Sequence, residues 1–279
     1  MNAATRLHDP QALYRSWEHE QWNPWEVELT TDRDQWQHSL DETDKGLVYW
    51  VLSSLMVAEE RITTKFAGLV MAAETEEEAS YLASQQVDEA RHMQFYARFQ
   101  DEVIVQPAEI GAHVERSRQQ LGDSFRVIFD QALVQAHDRL AAHPRDLLAK
   151  VAFVTTYHLV IESTLGLTSY EFITRYLNQH ELLPGFVDGY SRIHHDEQRH
   201  IGYGVWYLQN AAARDRALAD QIRATLRELL PAAANALAPP NREGTDFDAL
   251  GANSNDIRQF ALGGLTRRLN IIGVRLETL

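Results

Sequence analysis

The chain has 279 residues, 44 % of them hydrophobic, and a formal net charge of −14. Acid spread along the whole length argues against a nucleic-acid partner or an anionic membrane surface, both of which want basic patches. There is no cysteine, so disulfides, thiolate zinc sites, iron–sulfur clusters and cysteine nucleophiles are excluded, and any metal must be held by histidine and carboxylate, which suits iron or manganese.

Residues 1–40 carry Trp17, Trp22, Trp25 and Trp36 and a break at Pro24. They are expected to form an irregular arm with short helices, docked by the large apolar surfaces of the tryptophans. No apolar segment follows a basic start, and no stretch approaches the ~20 apolar residues of a membrane span. Neither a signal peptide nor a span is therefore expected, and the expected location is the cytoplasm. A long helix is expected over about 44–73. Thr75-Glu76-Glu77-Glu78 is a capping-box pattern that opens a second long helix to about residue 103, with Pro107 after its end. Residues 108–142 read as one or two further helices. Pro144 starts another, over about 145–178; the HELLPGF segment turns the chain, and a helix over about 185–213 follows. A helix near 214–237, a Pro239-Pro240-Asn241 break, a polar loop to about residue 255 and a last helix complete the chain. Period-two alternation is almost absent, which predicts an all-α fold. Four helices are long enough for a bundle core, so the expected layout is one domain over 1–279: an arm (1–40), a four-helix bundle (about 42–210) and additional C-terminal helices (211–279).

The chemistry lies in an internal echo. Asp88-Glu89-Ala90-Arg91-His92 and Asp196-Glu197-Gln198-Arg199-His200 share the pattern D-E-x-R-H. Within each, Glu-x-x-His puts carboxylate and imidazole about 300° apart around the helix, on one face and one turn apart, so both can reach one ion. One such pair is weak evidence. Two, each preceded by a helix with an isolated glutamate, match the ferritin-like dimetal site: one Glu from each of two helices and a Glu-x-x-His from each of the other two.

The isolated glutamates are Glu162, in the apolar run HLVIESTLG, and one of Glu59 and Glu60. Glu59 is preferred because Leu55, Glu59, Ile62 and Phe66 form one inward stripe. Burying Glu162 without a partner would be costly, and a metal removes that cost. The gaps from Glu59 to Glu89 and from Glu162 to Glu197 suit antiparallel helix pairs meeting at mid-height. Glu89 and Glu197 are expected to bridge two ions, with Glu59 and His92 completing one and Glu162 and His200 the other. Asp88 and Asp196 are candidates to accept the second imidazole N–H of a ligand histidine; a solvated position for one of them fits the sequence equally. Arg91 and Arg199 are expected to form salt bridges along their helices.

These residues resemble the ribonucleotide reductase small-subunit superfamily, and within it the ligand-binding oxidases that share the small-subunit fold. The resemblance is strongest over 157–204, from YHLVIES to DEQRHIGYG. It extends through AEERITTKF and the DEARH helix to cover roughly 15–210, with a less specific match at RRLNIIG. It implies a ferritin-like bundle, a dinuclear manganese–iron or di-iron cofactor, dioxygen activation, and two-electron oxidation of an apolar ligand such as a long-chain fatty acid. A homodimer and an external electron donor are implied as well. In the oxidases an ether link joins a tyrosine to the β-carbon of a valine; the matching positions are Tyr157 and Ile62. Isoleucine departs from the pattern but keeps a single hydrogen on Cβ. Tyr96, four residues after His92, stands where the reductase subunits keep their radical tyrosine. The alternative is thus a radical-generating subunit serving a partner, which would be expected to end in a docking tail; this sequence ends in GVRLETL, so the oxidase is the expected function.

Overall fold

The computed structural model describes residues 7–104, 122–236 and 254–275. The segments expected around Pro107, over 108–121 and around Pro239-Pro240-Asn241, the final residues and the side chain of Glu60 lie outside the described residues. Within them every regular element is helical. An arm of α1 (Pro10–His19), a 3-10 turn (Pro24–Glu26) and α2 (Thr30–His38) leads into α3 (Glu42–Lys65), α4 (Ala67–Met71) and α5 (Glu76–Phe99). Next comes α6, a run of Asp123–Arg126, a π-helical Val127–Ala132 and Leu133–Ala142. Then α7 joins Leu147–Val154, a π-helical Thr155–Gly166 and Leu167–Gln179. After it follow α8 (Pro184–Arg214), α9 (Arg216–Ala236) and α10 (Ser254–Ile272). The bundle consists of α3 along α5 and α7 along α8, with α5 meeting α8; α9 and α10 pack on the outside of α7 and α8, and α6 packs against α4, α7 and α9.

Local chemistry explains most boundaries. Thr75 accepts from the Glu78 N–H, and the Glu78 carboxylate accepts from the N–H of Glu74, one residue before the N-cap, a variant of the expected capping box at the head of α5. Asp146 caps α7 by accepting from Leu148 N (2.9 Å) and Ala149 N (3.3 Å), so this helix starts at Leu147 rather than just after Pro144. Rings hold α5 to α8: Phe99 meets Phe186 at 5.1 Å and Phe95 meets it at 6.2 Å. Each such buried phenylalanine contributes about 1.5–3 kcal/mol.

Two expected helices differ from the straight rods the periodicity implies. The helix expected over 44–73 breaks at Phe66, and the short α4 turns so that Gly68 lies against His137 of α6, where an added Cβ would be 3.0 Å from the imidazole. In α7 the middle third is π-helical. This stretch is rich in β-branched residues, whose side chains crowd the preceding turn of an α-helix. Thr164 donates its hydroxyl to the Leu159 carbonyl five residues back (2.6 Å), within the widened spiral. Such π insertions recur at functional sites, and Glu162 lies in this one.

The turn between α7 and α8 carries two left-handed residues that are not glycine, Glu181 (φ 54°) and Leu183 (φ 50°). The arm holds it in place. Gln35 accepts from Leu183 N (2.6 Å) and donates to the Glu181 carbonyl (2.9 Å), and buried Asp32 caps α8 through Gly185 N (2.8 Å) and Phe186 N (2.7 Å). Gly185 permits that approach, since a Cβ there would come within 2.1 Å of the Glu28 carbonyl. These contacts offset the cost of order 1–3 kcal/mol that each strained residue carries.

Candidate metal centre

Glu59 comes from α3, Glu89 and His92 from α5, Glu162 from the π stretch of α7, and Glu197 and His200 from α8. The structure brings all six together. Their donor atoms form two groups, Glu59, Glu89, His92 and Glu197, and Glu89, Glu162, Glu197 and His200, each with every atom within 4.8 Å of the others. Glu89 and Glu197 belong to both groups. Nδ1 of His92 lies 3.5 Å from Glu89, 3.6 Å from Glu197 and 3.8 Å from Glu59. Nδ1 of His200 lies 3.2 Å from Glu89, 3.3 Å from Glu162 and 3.9 Å from Glu197.

The other ring nitrogens are bound crosswise. His92 on α5 bonds through Nε2 to Asp196 on α8 (3.0 Å), and His200 on α8 bonds through Nε2 to Asp88 on α5 (3.2 Å). Both aspartates are fully buried, so neither takes the solvated position the sequence left open. Burial pushes their carboxyls up, but hydrogen bonds and charge attraction from His200 and His92, with Arg199 beside Asp196, together outweigh it and hold both below the ordinary range. An ionised aspartate only accepts. The histidine protons facing the aspartates therefore sit on Nε2, which leaves Nδ1 as the nitrogen that faces the centre.

The arm completes this layer in a way the sequence did not suggest. Trp17 donates its indole N–H to Asp88 (2.9 Å) and Trp22 donates to Asp196 (2.8 Å). These two tryptophans dock by hydrogen bonds as well as by area, whereas Trp25 is 59 % exposed. Chain separation conceals the link, since nothing local ties an arm tryptophan to a bundle aspartate. Arg91 pairs with Asp88 (2.6 Å) and Arg199 with Asp196 along their helices, as expected; Arg199 also crosses to Asp88 (3.2 Å). Arg199 also pairs with Glu20 of the arm, and neither arginine pairs with the four glutamates of the centre.

The donor set fits a pair of metal ions. Glu59 Oε2, Glu162 Oε2, Glu197 Oε2, His92 Nδ1 and His200 Nδ1 are buried and have no hydrogen-bond partner, a cost of about 1–3 kcal/mol or more each. Burial, reinforced by neighbouring carboxylates, pushes Glu59 up to about 8 and Glu162 to about 7, and raises Glu197 as well. Burial alone would lower the two imidazoles, but the surrounding carboxylates push both well up. A site that draws protons onto acids and bases alike attracts cations.

The surroundings of the six are unequal. A cleft partly open to solvent is lined by Glu59, Glu162 and Glu197 together with Leu55, Ile62, Phe125, Phe129, Ile161 and Leu165, with Tyr96 among the lining residues. Tyr96 is buried, its ring beside Tyr190 at 6.3 Å. Tyr157 lies outside the cleft lining; its hydroxyl donates to Glu89, and its ring packs on Phe66 at 5.3 Å. Gln85, which no sequence pattern singled out, donates to Glu162 (3.2 Å) and Glu89 (3.4 Å).

Comparison with known proteins agrees with this architecture. The family model for the ribonucleotide reductase small chain matches residues 4–275. A solved R2-like ligand-binding oxidase, a glycine-to-leucine variant with anaerobically reconstituted Mn/Fe cofactor, superposes with a TM-score of 0.81 at 21 % identity, covering 95 % of this chain and 93 % of that one. A glycine-to-phenylalanine variant with aerobically reconstituted Mn/Fe cofactor gives 0.82 at 22 % identity, covering 95 % and 97 %. Those likenesses establish the ferritin-like fold. With the family match running across nearly the whole sequence, the chain belongs to the ribonucleotide reductase small-chain family.

Proposed function

We propose that the protein is a dimetal oxidase that activates dioxygen and removes two electrons from an apolar organic ligand, of the long-chain fatty-acid class, held in the cleft. Glu59, Glu89, His92, Glu162, Glu197 and His200 would hold a manganese–iron or di-iron pair, with Glu89 and Glu197 shared. The observation that carries this reading is the cleft itself, which is lined mostly by apolar side chains and includes three of the four glutamates. The Mn/Fe cofactor of the structurally similar oxidases supports the choice of metals.

When bound, the ions supply a Lewis-acidic redox centre for dioxygen. The chain's own residues do the rest. Asp88 and Asp196 keep the histidine protons on Nε2. Leu55, Ile62, Phe125 and Phe129 exclude water and leave a ligand's C–H bonds facing the centre. Tyr157 presents its phenolic proton to Glu89. Forming an ether between Tyr157 Oη and Ile62 Cβ would remove that proton, the Cβ hydrogen and two electrons, with dioxygen as the acceptor. An external electron donor resets the centre, and the protein acts as a homodimer. A second reading, a subunit that stores a tyrosyl radical for a partner, draws on Tyr96, buried beside the same cleft.

Diffraction from crystals of aerobically purified protein, with anomalous data at the iron and manganese edges, tests the reading. Two metals and elongated density in the cleft are expected. A single ion, or none after supplementation, would overturn it. A stable tyrosyl radical in electron paramagnetic resonance that disappears in Tyr96→Phe would favour the second reading.

A further inference from the structure

On the side where Tyr157 and Gln85 stand, the centre meets a row of rings, and none of Gln85, Tyr157, His158, Tyr203 or Trp206 lines the cleft. The His158 ring stands edge-on to Tyr157 with centroids 4.7 Å apart, and it also neighbours Tyr203 at 5.3 Å and Phe66 at 6.4 Å. Tyr203 in turn touches Trp206 at 6.1 Å. Tyr157, His158 and Tyr203 have no exposed surface, whereas Trp206 is only partly buried. The row therefore runs from a glutamate of the centre to the surface. Close approach of α8 to the π stretch makes the His158–Tyr203 contact possible, and Gly204 permits it: a Cβ there would sit 2.3 Å from His158 Cβ.

Ring packing of this kind is common in cores, and by itself it stabilises the fold. The hydroxyl partners set this row apart. A phenol with a pKa of about 10 keeps its proton at neutral pH but becomes strongly acidic on losing an electron, so a buried tyrosine is oxidised readily only if its hydroxyl faces a base. Tyr157 faces Glu89, and Tyr203 donates to Glu78 (2.5 Å). Glu78 is paired with buried Lys150 at 2.8 Å. Tyr81 supplies the contrast. Its ring lies 5.5 Å from Tyr203, but its buried hydroxyl has no hydrogen-bond partner, and it stands outside the row.

We propose that Tyr203 and Trp206 carry single electrons between the surface and the metal centre by way of Tyr157. An oxidising equivalent formed without a ligand in the cleft would then be reduced from outside instead of attacking the cleft walls. The proposal rests on the oxidase reading only for the source of that oxidant. As long as no ether joins it to Ile62, Tyr157 gives one electron to the oxidised centre and its phenolic proton to Glu89. Tyr203 then refills Tyr157, which recovers its proton from Glu89, while the Tyr203 proton moves to Glu78. Trp206 refills Tyr203, which recovers that proton. A soluble one-electron donor such as ascorbate restores Trp206. One electron reaches the centre and one donor molecule is oxidised.

Two measurements on the full-length protein test this route. In the first, a soluble ruthenium photosensitiser with an oxidative quencher oxidises the surface of metal-free and metal-loaded protein, and electron paramagnetic resonance follows the long-lived signal of a buried tyrosyl radical. The signal is expected in the wild type and in Tyr81→Phe, and is expected to be lost in Tyr203→Phe and in Trp206→Phe, with helicity checked by circular dichroism. No long-lived signal in the wild type, or one undiminished in Tyr203→Phe, would overturn the route. In the second, metal-loaded protein is exposed to dioxygen without organic ligand and its peptides are mapped by mass spectrometry. Oxidation at Trp206 is expected, with its loss in Tyr203→Phe; equal oxidation in both would count against the route. A protein that passes the photochemical measurement but consumes no dioxygen keeps the route and loses the oxidase reading.

Discussion

His92 and His200 are held alike, each by an aspartate from the opposite helix and each aspartate by a tryptophan from the arm, yet the isolated glutamates facing them are held differently. Both open onto the cleft and keep Oε2 unpartnered, but Glu59 sits on a regular α-helix. Glu162 sits on a π-helical stretch, with Gln85 bonded to it and Tyr157 five residues before it. The repeated D-E-x-R-H pattern thus produces a symmetric pair of helices, and the unrepeated glutamate helices break the symmetry. Ligand identity and ligand surroundings come from different parts of the chain.

That distinction can be broken experimentally, most severely at the shared glutamates. Glu89→Ala or Glu197→Ala removes a donor common to both groups and should abolish binding of both ions, whereas Glu59→Ala or Glu162→Ala should lose at least one. Elemental analysis beside circular dichroism checks this; one equivalent lost from all four variants alike would deny any difference between shared and private ligands. Asp88→Asn and Asp196→Asn should each weaken metal binding by about 10–100-fold, the usual effect of losing the partner that orients a ligand histidine. Competition with a chelator measures it, and the crosswise bonds predict that Asp196→Asn acts at the His92 ion and Asp88→Asn at the His200 ion. Trp17→Phe and Trp22→Phe each delete a hydrogen bond to a charged acceptor and should cost about 1.5–3 kcal/mol in chemical denaturation; similar losses would sharpen the symmetry of the two halves. Gln85→Leu should have the smallest effect, about 1 kcal/mol, because its bonds are long and the change acts only on the Glu162 and Glu89 side.

Much of the fold was readable in advance because helix signals are local. The capping box at Thr75, the dominant helical period and the turn at HELLPGF each depend on residues a few positions apart. Breaks inside helices were not readable. Phe66 ends α3 where the next turn must meet α6, and the π stretch around Glu162 depends on packing as well as on its β-branched residues. Gly185 and Gly204 look unremarkable in sequence, and only the neighbouring backbone and imidazole make each of them necessary.

The sequence by itself determined the donor types and their spacing: a chain without cysteine, with two Glu-x-x-His helices and isolated glutamates in apolar settings, points to a carboxylate–histidine centre whatever the details of packing. Tertiary structure alone decided which aspartate serves which histidine, that Trp17 and Trp22 reach them, that Gln85 braces Glu162, and that a cleft opens on one part of the centre while a row of rings closes another. The physical reason is range. Helical spacing is set within one turn by backbone hydrogen bonds, whereas the second partner of each buried polar atom is whichever group the folded chain brings alongside, often more than 70 positions away.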